Sequence, residues 1–287
     1  MNNDHELLDM EGLLRFYAEA GIDMPLSETP IDRFAAPAPT MAREQNAPAP
    51  AAQSSRSERA QQPRAAITPS PSSRPVQAAS DVPDNTQIEL ARAAAARANS
   101  LEELREALAA FDGCNLKSTA KNLCFADGDP SSDIMFIGEA PGRDDDMEGL
   151  PFMGKPGQLL NRMIEAIGFK RENVYIANTI AWRPPGNRAP TPLETELCRP
   201  FIERQIELAS PKVLVTLGGP ASKTLTGSSE TILRLRGNWN IHRTALGAEI
   251  AVMPTLHPEY LLRMPAQKRF AWRDFLAVKM KLTELHD

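Results

Sequence analysis

Asp133-Ile134-Met135-Phe136-Ile137-Gly138-Glu139-Ala140-Pro141-Gly142 is a short apolar run that breaks into a Gly/Pro turn carrying an acid. A run of this length bounded by turn residues reads as a buried strand. The pattern recurs at Asn173-Val174-Tyr175-Ile176-Ala177-Asn178 and at Lys212-Val213-Leu214-Val215-Thr216-Leu217, which leads into Gly218-Gly219. It recurs once more at 250–254, ahead of Thr255-Leu256-His257-Pro258-Glu259-Tyr260-Leu261-Leu262-Arg263. Helical patterns lie between and after these runs. They cover 155–167 (apolar at Leu159, Leu160, Met163 and Ile164), 192–208 (Leu193, Leu197, Phe201, Ile202 and Ile206), 220–226 and 267–285. Strand–helix alternation predicts an α/β fold with a parallel sheet covered on both faces. Upstream, the Ala-rich 88–98 reads as a helix, and Ser100 with Glu103 reads as a capping box for a second helix, 101–111.

The chain has 287 residues and a net charge of −5, enough for one or two domains. Residues 1–85 hold 7 Lys+Arg against 12 Asp+Glu, which leaves 25 of each for 86–287. A nucleic-acid surface on this neutral body has to be a local basic patch. Three cysteines, Cys114, Cys124 and Cys198, make no disulfide framework. No apolar run reaches the ~18 residues of a membrane span, and the polar, acidic start Asn2-Asn3-Asp4-His5-Glu6 is unlike a signal peptide. A cytoplasmic monomer is the expectation.

Within 1–25, residues 6–20 place Leu7, Leu8, Leu13, Leu14, Phe16 and Tyr17 at the spacing of a short amphipathic helix. The stretch 26–85 holds 10 of the 25 prolines amid Ala, Ser and Gln, too few large apolar residues to offset ordering entropy, and reads as a disordered linker. The helix then either folds back on the body, or docks on a partner and raises the local concentration of the domain at 86–287, or has no distinctive role.

In an open α/β sheet the working groups gather at the carboxyl ends of the strands. Here those ends offer Gly138-Glu139, Asn178, Gly218-Gly219 and the segment of His257. Gly138–Gly142 brings backbone N–H groups close to a ligand, and Asp144-Asp145-Asp146 after it has the composition of a solvated surface run. Phe152, in Pro151-Phe152-Met153-Gly154, supplies an aromatic face of the kind that stacks on a base. Asn178 donates and accepts at once, as reading a pyrimidine edge requires. Arg183-Pro184-Pro185-Gly186-Asn187-Arg188 is a stiff loop whose two guanidiniums match phosphate oxygens.

This ordered series resembles the uracil-DNA glycosylase superfamily, and most closely its family 4. The resemblance runs from about Leu101 to Trp272 and includes Gly138–Gly142, 151–154, Gly157-Gln158-Leu159-Leu160, 174–178, Arg183–Arg188 and His257-Pro258. It implies a three-layer α/β/α sandwich on a four-stranded parallel sheet. It implies hydrolysis of the N-glycosidic bond of deoxyuridine in DNA, with the base extruded into a pocket. Phe152 would stack on uracil and Asn178 would read its edge, with Gly138 and Ala140 in the same pocket. His257 would stabilise the charge developing on O2 as the base departs. An acid of the first motif, Glu139 or Asp145, would position water, since family 1 enzymes place an Asp where this chain has Ala140. On the DNA side stand Arg183, Asn187, Arg188 and Pro258, the wedge candidates Tyr260 and Leu261, and Arg263. Two other readings keep the fold: a glycosylase for a broader set of deaminated bases, and a non-catalytic DNA- or damage-binding module. Residues 6–20 are the candidate contact for a repair or replication protein.

The resemblance also implies an iron–sulfur cluster (4Fe–4S) held by four cysteines. Cys114 and Cys198 keep two of those places, while Lys117 and Trp182 stand at the others and Cys124 is at the wrong spacing. Such clusters need thiolate ligands, usually four, so no metal or cofactor is expected.

Overall fold

A computed structural model describes residues 85–285. The helix expected at 6–20 and the linker 26–85 lie outside these residues, apart from Asn85 itself. In chain order the elements are α1 (Asn85–Arg97), α2 (Leu101–Ala110), α3 (Leu116–Thr119), β1 (Asp127–Gly128), β2 (Ile134–Gly138), α4 (Arg143–Glu148), α5 (Lys155–Ala166), β3 (Tyr175–Asn178), α6 (Pro192–Ala209), β4 (Val213–Leu217), α7 (Gly219–Thr226), α8 (Ile232–Leu235), β5 (Asn240–Arg243), β6 (Glu249–Thr255), α9 (Pro258–Arg263) and α10 (Lys268–Glu284). The sheet order is β1-β3-β2-β4-β6-β5. The inner four, β3-β2-β4-β6, are parallel. This is the expected parallel sheet, widened to six strands by antiparallel β1 and β5 at the edges.

Side chains on β2 alternate between two cores, as the period of two demands. Ile134 and Phe136 pack with Leu160, Ile164, Phe275 and Val278 of α5 and α10. Met135 and Ile137 pack with Ile202, Ile206 and Leu225 of α6 and α7. Helices on both faces complete the three layers, and β2 and β4 are buried at every position, which is why both read as unbroken apolar runs. A further core joins α1, α2 and α6 around Leu104, Phe111, Trp182 and Phe201.

Local signals set the helix starts. Ser100 Oγ accepts from Glu103 N, and the Glu103 carboxylate reaches Asn99 N rather than the cap's own N–H. At α6 the reciprocal box is complete: Thr191 Oγ1 accepts from Glu194 N, and Glu194 Oε2 accepts from Thr191 N.

Candidate active site

The register of the inner strands builds the site. Gly138 pairs with Asn178 across β2 and β3. Past the strand ends, Thr179 N donates to Gly138 O and Ile180 N to Glu139 O, while Thr179 Oγ1 donates to Glu139 O at 2.8 Å. The Glu139 backbone is therefore held as firmly as a strand residue. Two strands away, β6 delivers His257 at the N-cap of α9. Glu139 and His257 border a 710 Å³ cleft whose walls also include Asp145, Phe152, Arg188 and Arg263, while Gly138 and Asn178 lie behind the Phe152 ring and are not part of the wall.

His257 is partly buried, and burial holds its imidazole below the ordinary value of 6.5 despite the opposing pull of Glu259 and Asp145. Its Nδ1 accepts from Glu259 N at 3.2 Å. A ring that accepts at Nδ1 and stays neutral carries its proton on Nε2. It is a donor with no positive charge. The Phe152 ring lies 5.7 Å from it, tilted by 32°. Phe152 is buried, with a backbone φ of +56°. An aromatic residue in that left-handed region costs about 1–2 kcal/mol, so its surroundings must hold it there. Asn178 is 5% exposed, and its Nδ2 is buried without a hydrogen-bond partner. A buried amide donor left unmade costs about 1–3 kcal/mol, a penalty that a ligand carbonyl at that place removes.

The two acids proposed for water differ sharply in surroundings. Asp145 Oδ1 accepts from Met153 N at 2.7 Å and Oδ2 from Gly142 N at 3.0 Å, so both oxygens pin the cleft's own loops. The Glu139 carboxylate, unlike its backbone carbonyl, accepts no hydrogen bond from the described residues, and burial, then nearby Glu259, pushes its pKa above the usual value of 4.5. The expected solvated run 144–146 is instead the helix α4, with Asp145 and Asp146 buried. Asp146 accepts from Lys121 N and Asn122 N and faces Arg183 at 3.8 Å.

Arg183 Nε also donates to Asn187 Oδ1 at 2.6 Å. Arg188 forks onto buried Glu194 at 2.8 and 2.6 Å and still lines the cleft. Both guanidiniums of that loop are thus paired to carboxylates, whereas Arg263 and Asn187 line the cleft with Tyr260. Pro258 is buried at the first turn of α9. Leu261, a wedge candidate by sequence, is fully buried against Leu256 and Ala271. The turn of α9 points its neighbour Leu262 outward instead, 41% exposed and on the cleft wall. Ala140 lines the cleft, and Gly138 backs Phe152 and Asn178.

Sequence reading missed a buried support behind His257. Asp274 of α10 pairs with Arg236 and accepts from Thr255 Oγ1 at 2.7 Å, tying α10 to the last residue of β6. Burial raises the Asp274 carboxyl, opposed by its Arg236 and Thr255 hydrogen bonds. An Asp inside a helix carries no local signal of such a contact.

The cysteine positions do not fit a four-thiolate cluster. Cys114 and Cys198 are buried in the α1–α2–α6 core, and a hydrogen bond between their thiols lowers Cys114 and raises Cys198. Lys117 is paired with Asp112 at 2.5 Å, and Trp182 is packed at 3% exposure in the same core. The Cys124 thiol donates to Asp145 O at 3.2 Å, and burial, with Asp145 and Asp146 beside it, pushes its pKa to about 12. Among the described residues no group of three or more His, Cys, Asp or Glu is placed to hold a metal ion. Nor is any of their helices long and apolar enough to cross a membrane.

The family model of the uracil DNA glycosylase superfamily matches residues 125–277. The chain is 36% identical over 186 residues to a protein of Sulfurisphaera tokodaii, spanning 63% of this chain and 84% of that one. It is 40% identical over 178 residues to a protein of Saccharolobus solfataricus (59% and 81%), and 39% identical over 171 residues to one of Thermotoga maritima (58% and 85%). All three are named type-4 uracil-DNA glycosylase.

Proposed function

The chain belongs to the uracil DNA glycosylase superfamily, and from that premise we propose that it removes uracil from DNA by hydrolysing the N-glycosidic bond, leaving an abasic site for repair. The observation that carries the site reading is the unpartnered Nδ2 of buried Asn178 beside the Phe152 ring and a neutral His257. Uracil presents O4 as an acceptor and N3–H as a donor, and a side-chain amide complements both. Phe152 stacks on the extruded base. His257 donates from Nε2 to O2, where negative charge grows as the bond from C1′ to N1 lengthens. Glu139, whose carboxylate takes no hydrogen bond from its neighbours, orients the attacking water and faces the positive charge developing on the sugar. Water adds to C1′ and gives up one proton to the Glu139 carboxylate, uracil leaves as its N1 anion, and the proton passes through solvent to that anion. Asp145 serves by holding the loops at Gly142 and Met153.

The proposal extends to a cytoplasmic monomer that works without an iron–sulfur cluster, with residues 6–20 as a docking segment for a repair or replication protein. The direct test is alkali cleavage of a labelled oligonucleotide holding one uracil, with the protein's visible spectrum and iron content recorded. Cleavage at uracil by colourless, iron-free protein is the expected result. Folded protein that leaves uracil intact overturns the activity, and a brown, iron-bound preparation overturns the cofactor reading.

Choice of acid is tested by pH. A carboxyl raised by burial must ionise before it can serve, so kcat rises through a limb centred above 4.5. Glu139→Gln is expected to lower kcat by about 10²-fold and to abolish that limb. An unchanged limb in the variant moves the role to Asp145.

A further inference from the structure

Phe152 holds a left-handed backbone, φ +56°, at the one position where the ring must face the base. Three contacts hold it there. Arg171 Nη2 donates to Pro151 O at 2.6 Å and Nη1 donates to Phe152 O at 3.2 Å. Met153 N, the next peptide, is held by Asp145 at 2.7 Å. On the remaining side Gly157 of α5 leaves the room: a Cβ there would lie 1.7 Å from Phe152 O. The carbonyl of Phe152 is thus seated between a helix backbone and a guanidinium.

Arg171 is itself fixed from two directions. Its Nε donates to Asp127 Oδ2 at 2.6 Å, and Nη1 also donates to Asn161 Oδ1 at 2.9 Å. Antiparallel β1 pairs Asp127 with Ile176 of β3, so the short edge strand that sequence reading missed sets one anchor of this clamp. Arg171 is not part of the cleft wall. Four oxygen acceptors in different directions, with the Met153 sulfur at 3.7 Å as a fifth, need the planar fork of an Arg, which a Lys ammonium does not reproduce.

We infer that Arg171 is a positioning residue for base recognition, holding the backbone of Phe152 in its left-handed conformation so that the ring presents its face to the cleft. The inference rests on the reading that Phe152 stacks on uracil, and the test separates the two. Single-turnover rates and DNA affinity would be measured for Phe152→Ala, Arg171→Lys and the double variant, with thermal melting of each. A stacked base is worth about 10–10²-fold, so Phe152→Ala loses that much in kcat/KM. Arg171→Lys is expected to lose about 10-fold in kcat/KM with unchanged affinity for uracil-free DNA. In the Phe152→Ala background the same substitution is expected to cost less than twofold, because the ring it positions is gone. Equal losses in both backgrounds, or no loss from Arg171→Lys, overturn the positioning role. A Phe152→Ala variant as active as wild type overturns the stacking reading, and the inference falls with it. Should Arg171→Lys fail to fold, Asn161→Ala, which frees one side of the guanidinium, carries the same cycle with the same outcomes.

Discussion

His257→Ala is expected to lower kcat on uracil-containing DNA by about 10²–10³-fold, the cost of losing one preorganised donor to a developing oxyanion. The local geometry explains why the loss falls on turnover rather than binding. The imidazole is neutral because burial disfavours the cation, and Glu259 N occupies Nδ1, so the one proton sits on Nε2 of a ring that lines the cleft. A neutral donor gains most when its acceptor becomes an anion, which happens only as the glycosidic bond breaks. Affinity for a duplex holding an uncleavable uracil analogue should therefore change less than about threefold, an energy below that of an ordinary neutral hydrogen bond. His257→Gln keeps a donor on a more flexible arm and should recover part of the rate. The measurement is single-turnover excision beside fluorescence-anisotropy binding. A proportional loss of affinity and rate would assign His257 to DNA binding and leave the departing base without its electrostatic partner.

Legibility followed burial. The inner strands could be read because sheets covered on both faces demand continuous apolar runs, as in Ile134–Ile137 and Val213–Leu217. The edge strands could not. β1 is two residues, Asp127-Gly128, and β5 is the half-exposed Asn240–Arg243; each pairs on one side only, so neither needs an apolar pattern. The site was legible where chemistry coincides with strand ends: Gly138, Asn178 and the His257 segment. It was not legible where a charge is decided by distant partners. Asp145 and Asp146 look like a solvated run until the backbone N–H groups of Met153, Gly142, Lys121 and Asn122 converge on them. Arg188 looks like a free phosphate fork until Glu194, capping α6, takes both its arms. Leu261 and Leu262 are adjacent in sequence and equally apolar, and only the turn of α9 decides that one is core and the other faces the cleft.

Gly138→Ala is expected to damage function far more than stability. A Cβ at 138 would lie 2.3 Å from Asn178 Oδ1 and 2.5 Å from Phe152 Cζ, far inside contact distance for either atom. The backbone at 138 does not itself call for glycine, since its φ is not positive; the constraint is the space that the two side chains occupy. Neither neighbour yields easily. Asn178 closes β3 in register with Gly138, and Phe152 is clamped through its carbonyl by Arg171. The added methyl therefore displaces both the group proposed to read the base edge and the ring proposed to stack on it. Overpacking of this kind costs about 1–3 kcal/mol in stability, which leaves a folded domain. A displacement of about 1 Å in substrate-positioning groups costs about 10²-fold in rate, and two such groups move together, so a loss of about 10²–10³-fold in kcat/KM is expected. Thermal melting alongside single-turnover excision checks both halves. A variant that melts a few degrees lower and excises within tenfold of wild type would mean that the base does not sit between Asn178 and Phe152, and the pocket would have to be sought elsewhere along the cleft.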